Sequence, residues 1–191
     1  RRHRSGGMPA DTKRLAAWNA MLLDALVIAA DFDARFAQRA RALYRHMREH
    51  FYSNGQLIRF AGNADVAATA LEDYAQVAYA FYNFGRRFDR REAADAARRL
   101  IESAHSQFLK NDRWHQKARS LIPIAPGKWI MPDLVSISPM TLWLTVAREV
   151  PGLDPEIRES ATRMLQRASR EMLDSPYYHG SYIVLRIDQS G

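Results

Sequence analysis

Residues 71–85 read LEDYAQVAYAFYNFG, and the rest of the chain is organised around this stretch. It opens with two acids and a phenol, Glu72-Asp73-Tyr74, and then carries no charge as far as Gly85. A helix that is apolar or neutral nearly all round its circumference is one enclosed by other elements. Thr69 stands three residues before Glu72, the spacing of a capping box, and predicts the helix start. Gly85 predicts its end. The stretch therefore reads as an inner helix with two carboxylates and a phenol at its N-terminal mouth.

Moving outward toward the N-terminus, residues 1–10 form a polar, basic lead that is expected to be flexible. Asp11 or Thr12 can cap a first helix over roughly residues 12–30. Its apolar positions, among them Leu15, Trp18, Leu22, Leu23, Leu26 and Val27, again cover most of the circumference. Asp33 caps a second helix reaching about Tyr52, with Phe36, Ala40, Leu43, Met47 and Phe51 on one face and arginines on the other. Asn54-Gly55 is a turn signal, followed by an extended run over residues 56–60.

Toward the C-terminus, Asp89 with Glu92 predicts another capping box and an amphipathic helix to about Phe108. An irregular stretch over residues 109–137 follows. Ser138-Pro139 pairs an N-cap with a first-turn proline and opens a third apolar helix. Asp154-Pro155-Glu156 opens a third amphipathic one. After Pro176 the β-branched run over residues 181–186 reads as extended.

One unit thus recurs with a period of about 60 residues: apolar helix, short turn, amphipathic helix, long connection. Short turns fall at one end and long connections at the other. The expectation is an all-α fold in which three helical hairpins form half of an (α/α)6 toroid, with short extended segments in the connections, over residues 11–191. A half ring leaves its inner helices bare along one side, well beyond the few hundred Å² of apolar patch that a monomer tolerates. The remaining half is expected in cis, or a second copy in trans; a right-handed helical solenoid is the alternative that needs no closure.

Composition narrows the chemistry. The chain has 191 residues and no cysteine, so disulfide, thiolate-metal and CxxC redox chemistry are excluded within it. No apolar run approaches the roughly 18 residues of a membrane span, and no apolar segment follows the basic start as a signal peptide requires; a cytoplasmic location without membrane attachment is the expectation. The net charge is +7. Its arginines (Arg35, Arg39, Arg45, Arg87, Arg91, Arg98) fall on outer helix faces, which reads as solvation and not as a nucleic-acid surface. There is no HExxH, no Gly-rich phosphate loop and no GxSxG, so no metal or cofactor is expected.

The chemistry-bearing residues gather where inner-helix N-termini meet long connections. Trp18, Asn19, Glu72, Asp73, Tyr74, Ser136 and Ser138 come from the helix starts, and Arg59, Trp114, His115 and Trp129 from the connections. Aromatic faces with carboxylates, an amide and an arginine suit a polyhydroxylated, sugar-like ligand. Competing structural roles are on the page too: Glu72 as capping partner of Thr69, Asp73 as dipole complement, Trp18 as core. His46, His50 and His105 read as packing residues; His115 and His179 are the histidines placed for acid–base work. Glu72 and Asp73 diverge by about 100° on a helix, which argues against a glycosidase pair facing one bond. No residue is assigned a catalytic role.

Residues 11–20, DTKRLAAWNA, resemble the DDK-x-L-x-x-WNG segment of the YyaL-type, spermatogenesis-associated thioredoxin-like proteins. Residues 71–75, LEDYA, resemble their L-x-DYA segment, and residues 131–139 a degraded form of their D-x-x-x-PSGNA segment. The resemblance implies a thioredoxin-like domain preceding a six-hairpin toroid similar to N-acylglucosamine 2-epimerases, of which this chain supplies the last half. It implies sugar binding, or sugar epimerase- or isomerase-like activity, for a carbohydrate-active-like domain. Ala20 replaces the family's glycine, and Ser-Pro-Met replaces Ser-Gly-Asn, so a non-catalytic interaction or scaffold module is the competing expectation.

Overall fold

A row of inner helices, each backed by an outer one, makes up the molecule. The computed structural model describes residues 14–60, 69–117, 130–134 and 136–187; the lead over residues 1–10, the caps Asp11 and Thr12, and Trp129 lie outside them. In chain order the elements are α1 (Ala16–Ala29), α2 (Ala34–His50), strands β1 (Tyr52–Ser53) and β2 (Gln56–Leu57), α3 (Leu71–Phe88), α4 (Arg91–Phe108), strands β3 (Leu109–Lys110) and β4 (Arg113–Trp114), α5 (Pro139–Glu149), α6 (Pro155–Asp174), a 3₁₀ turn (Pro176–Tyr178) and α7 (Gly180–Ile187). Helices α1, α3 and α5 lie side by side, α2, α4 and α6 back them, and α7 follows on α5. The fold is the all-α arrangement of helical hairpins in a partial α/α toroid.

Helix α3 holds the row together. It packs against α1, α4 and α5 and buries all of its first turns except the side of Glu72. Around it run Tyr44 stacked on Phe84 at 4.2 Å and Tyr74 edge-on to Phe108 at 5.5 Å. Trp114 and Trp143 meet at 4.8 Å, and His105 stacks on Trp143 with 18° between planes. Both indole N–H groups are satisfied inside, Trp143 to the Ile101 carbonyl at 3.1 Å and Trp114 to the Met164 sulfur at 2.8 Å. The N-caps at Asp33, Ser138 and Asp154 form as anticipated, each oxygen accepting from the backbone N–H two residues on.

Several boundaries differ from the sequence reading. Helix α1 starts at Ala16, because Leu15 is extended and bridges to Phe60. Helix α2 stops at His50, where the chain turns into β1. Helix α3 runs through Gly85 to Phe88 and ends at Asp89, which adopts the left-handed conformation at φ 50. Asp89 is therefore a C-terminal residue of α3 and not the cap of α4, whose N-cap is Arg90 without a side-chain bond. Gly85 is needed for another reason: a Cβ there would lie 3.0 Å from the Ala94 nitrogen and 3.0 Å from the Arg90 oxygen, so its absence lets α3 and α4 touch. Part of the irregular stretch is the β3–β4 hairpin. The run over residues 181–186 is helical, not extended: Tyr182 and Leu185 bury at helical spacing, and that packing overrides the strand preference of Ile183 and Val184.

One side of the row is open. Helix α1 buries Ala16, Ala20, Leu23 and Val27 but leaves Trp18, Leu22 and Ile28 on the surface, with Phe32 just beyond it 86% exposed. Trp18, for which the sequence left a core role and a ligand-binding role open, is 67% exposed, which rules out the core role among the described residues.

Two outcomes follow from this packing. Gly85→Ala should lower stability by about 1–3 kcal/mol through overpacking, despite the roughly 1 kcal/mol that alanine gains in helix propensity; urea midpoints measure it, and an unchanged or higher midpoint contradicts the close approach. Burial holds His105 below its ordinary value of 6.5. Its stabilising neutral form is fully populated above that value and is lost as pH falls through the depressed one, so stability should drop on acidification. His105→Phe should flatten that acid limb.

Candidate functional site

The site is built by the connections. Asn54 and Gly55 both have positive φ, 47 and 82, the two-residue turn that matches strand twist. It closes β1 on β2, and the Ile58 N–H donates to the Phe51 carbonyl at 2.9 Å. Asn111 and Asp112 repeat the turn at φ 51 and 58, and the His115 N–H donates to the Phe108 carbonyl at 2.9 Å. Each hairpin then sends its chain across an inner-helix start. The Ala16 N–H donates to the Arg59 carbonyl at 3.0 Å, and the Leu71 N–H to the Gln116 carbonyl at 2.9 Å. At the start of α5 a side chain does the joining. The Asp133 carboxylate accepts from the Ser138 N–H at 2.8 Å, the Ser181 N–H at 2.8 Å and the Ser181 hydroxyl at 2.6 Å.

Between these helix starts lies a cleft of about 350 Å³, lined by Arg59, Glu72, Gln116, Lys117, Met131 and Pro139 among others. Leu134 and Ser136 border both this cleft and a larger cavity of about 810 Å³ between α3, α5 and α7. Of the residues singled out from sequence, Arg59, Glu72 and Ser136 line the cleft. Trp18 stands exposed in the first turn of α1 and is not among the residues lining the cleft.

The two adjacent acids have different surroundings. Asp73, not Glu72, is the capping partner: its carboxylate accepts from the Ala70 N–H at 2.8 Å, and Arg59 stands 3.4 Å away. Asp73 is 1% exposed. Its burial raises its pKa above the ordinary 3.8, while the Ala70 N–H and Arg59 pull it back. The capping expectation for Thr69 with Glu72 is thereby corrected, and Glu72 is left facing the cleft.

The other candidates serve the frame. Tyr74 is fully buried, and its hydroxyl accepts from the Gln107 side chain at 3.1 Å and the Leu57 N–H at 3.4 Å, tying the first hairpin to α3 and α4. Asn19 donates to the Leu15 carbonyl at 2.8 Å and steadies the start of α1. Ser138 caps α5 and bonds the Tyr182 hydroxyl at 2.9 Å. His115 is half-buried at the hairpin exit, and the buried His179 bonds the Ser175 carbonyl at 2.9 Å. Trp129 lies outside the described residues.

Tyr79, Thr141, Thr145, Arg148 and Ser181 line the larger cavity and were not singled out from sequence. The signal was present: Thr141, Thr145 and Arg148 recur at i, i+4 and i+7 on a helix that is otherwise apolar up to its last residue, Glu149, a polar stripe on one face. Among the described residues no group of His, Cys, Asp and Glu could hold a metal ion, and no helix is long and apolar enough to cross a membrane. The arrangement suits binding of polar, hydroxylated molecules: one cleft-facing carboxylate, one guanidinium and backbone at helix starts.

No protein-family model matches the chain, and no curated protein matches it in sequence. Among solved structures it is similar to cellobiose 2-epimerase from Spirochaeta thermophila DSM 6192, with a TM-score of 0.58 and 13% identity. The match covers 82% of this chain and 43% of the epimerase. The chain thus spans less than half the length of that protein, and at this identity the likeness is one of fold.

Asp73 yields a pH test. Its folded-state pKa is raised, so its contribution to stability is greatest below 3.8 and is lost as pH rises through the folded value. Asp73→Asn removes that ionisation, and the neutral amide oxygen can still accept from the Ala70 N–H. Urea midpoints of the wild type should therefore fall relative to Asp73→Asn between about pH 4 and neutrality; a wild type that gains on the variant over this range reverses the assignment.

Proposed function

We propose that this chain is part of a sugar-binding α/α toroid of the epimerase or isomerase kind, with a pyranose held in the mouth cleft. The observation that carries the reading is the convergence of Arg59 and Glu72 on one cleft at the helix starts; Trp18, exposed in the first turn of α1, is the indole we assign to the sugar's apolar face. A carboxylate and a guanidinium fix ring hydroxyls, and an indole face covers the C–H side of a pyranose. Epimerisation beside a carbonyl needs two opposed proton carriers. Glu72 is the one we assign here, and its opposite number we assign to the rest of the ring.

The rest of the ring comes from further hairpins of the same polypeptide or from a second copy. The exposed edge of α1 and the span of less than half the epimerase support this. The YyaL-type resemblance adds the proposal of a thioredoxin-like domain ahead of the toroid. The second reading, a scaffold module, is favoured by Ala20 and by Ser138-Pro139-Met140 at the positions where the family resemblance degrades.

The test is thermal shift with glucose, mannose, N-acetylglucosamine and cellobiose. A sugar at 100 times its Kd should stabilise by about 2.7 kcal/mol, and Glu72→Gln should weaken binding by about tenfold. No shift with any of them at high concentration favours the scaffold. Light scattering decides closure: a dimer, or a complex with a further helical segment, supports it, and a stable monomer of 21.9 kDa opposes it.

A further inference from the structure

The cavity between α3, α5 and α7 holds an arginine that the fold does not use. Arg148 sits in the last turn of α5 and lines the 810 Å³ space. Arginine at a helix C-terminus ordinarily serves the terminal carbonyls. Here Arg158 does so, donating to the carbonyls of Arg148 and Val150. The Arg148 guanidinium is half-buried and reaches only the Leu185 carbonyl, at 3.5 Å, a marginal bond. No carboxylate among the described residues pairs with it.

The two acids on the cavity wall are engaged elsewhere. Glu149 accepts from the Tyr82 hydroxyl at 3.0 Å and pairs with Arg86 at 3.2 Å. Asp133 is taken up by the two N–H groups and the hydroxyl at the start of α5 and α7. Arg148 is therefore the uncommitted charge of the cavity. The same cavity is lined by Tyr79, by Thr141 and Thr145, whose hydroxyls bond Ser181 at 2.7 Å and the Thr141 carbonyl at 2.9 Å and keep acceptor capacity, and by the aliphatic side chains of Leu142, Val184 and Leu185. Hydroxyls, an apolar floor and one cation match a ring compound bearing a single anionic group.

The geometry points to a second subsite: the α3–α5–α7 cavity binds an anionic sugar, a sugar acid or sugar phosphate, with its anionic group on Arg148 and the C–H face of its ring on Leu142 and Val184. The choice of a sugar rests on the function proposed above; the anion does not. Because Leu134 and Ser136 border both spaces, a ligand can continue from the mouth cleft into this cavity.

Calorimetric titration of the full chain at low salt tests it, with glucose, glucuronate, glucose 6-phosphate and benzoate as probes. At least one of the two anionic sugars should bind about tenfold more tightly than glucose, and which one does so separates carboxylate from phosphate. Arg148→Gln should reduce that ligand to the level of glucose without changing glucose affinity, and Arg148→Lys should restore part of it. Circular dichroism should show both variants folded, since Arg158 keeps the end of α5. If all three sugars bind equally and independently of Arg148, the anion subsite is overturned and the sugar reading stands. If benzoate binds through Arg148 while no sugar binds, the anion subsite stands and the sugar reading falls. If neither benzoate nor any anionic sugar depends on Arg148, the inference is wrong.

Discussion

Two backbone hydrogen bonds set the terms for everything at the mouth of this fold. The first N–H of α1 is taken by the Arg59 carbonyl and the first N–H of α3 by the Gln116 carbonyl. The early N–H groups of a helix have no partner within it, so a helix that starts beside other protein must find one outside. By taking those carbonyls, each inner helix fixes the chain that crosses it. The Arg59 side chain is thereby brought to Asp73 and to the cleft. Both hairpins that launch the crossing strands turn on consecutive residues of positive φ, so the crossing point is set by turn chemistry as much as by packing.

Asp73 and Glu72 show how a fold separates two chemically similar groups. Their angular divergence on α3 sends one carboxylate inward and leaves the other to solvent. The inward one must be satisfied, since a buried carboxylate without partners is costly, and it is satisfied by the two groups that define the mouth, the Ala70 N–H and Arg59. Asp73 is a structural brace of the opening, and Glu72 is what the opening presents. Tyr74 completes the brace from below, its hydroxyl linking the first hairpin to α4.

Inner and outer helices, the caps at Asp33, Ser138 and Asp154, and the turn at Asn54-Gly55 could all be read in advance because each rests on local chemistry. The errors arose where tertiary contact overrules it. Gly85 signals a helix end to a local reading, but in the folded chain it is the place where α3 and α4 come close. Ile183 and Val184 look like strand, yet Tyr182 and Leu185 carry that segment into the core as a helix. Trp18 could be read as core or as a ligand platform, because its hydrophobicity is visible in the sequence and its surroundings in the fold are not. At the site, Arg59 and Glu72 were legible from their placement beside helix starts. Arg148 was not, because its significance lies in the carbonyls that Arg158 caps in its stead.

The exposed face of α1 has a consequence for recognition at the mouth. Among the described residues α1 has an inner-helix neighbour on one side only, α3. An element packed on one side retains more conformational freedom than one packed on both, and opens at lower free energy. Any ordering of α1 that a ligand touching Trp18 required would subtract from its affinity. Any partner that covers Leu22, Ile28 and Phe32 would meet the ordering cost beforehand. Assembly at one edge would then strengthen binding at the mouth with no new contact to the ligand, which couples the two events in the manner of positive cooperativity.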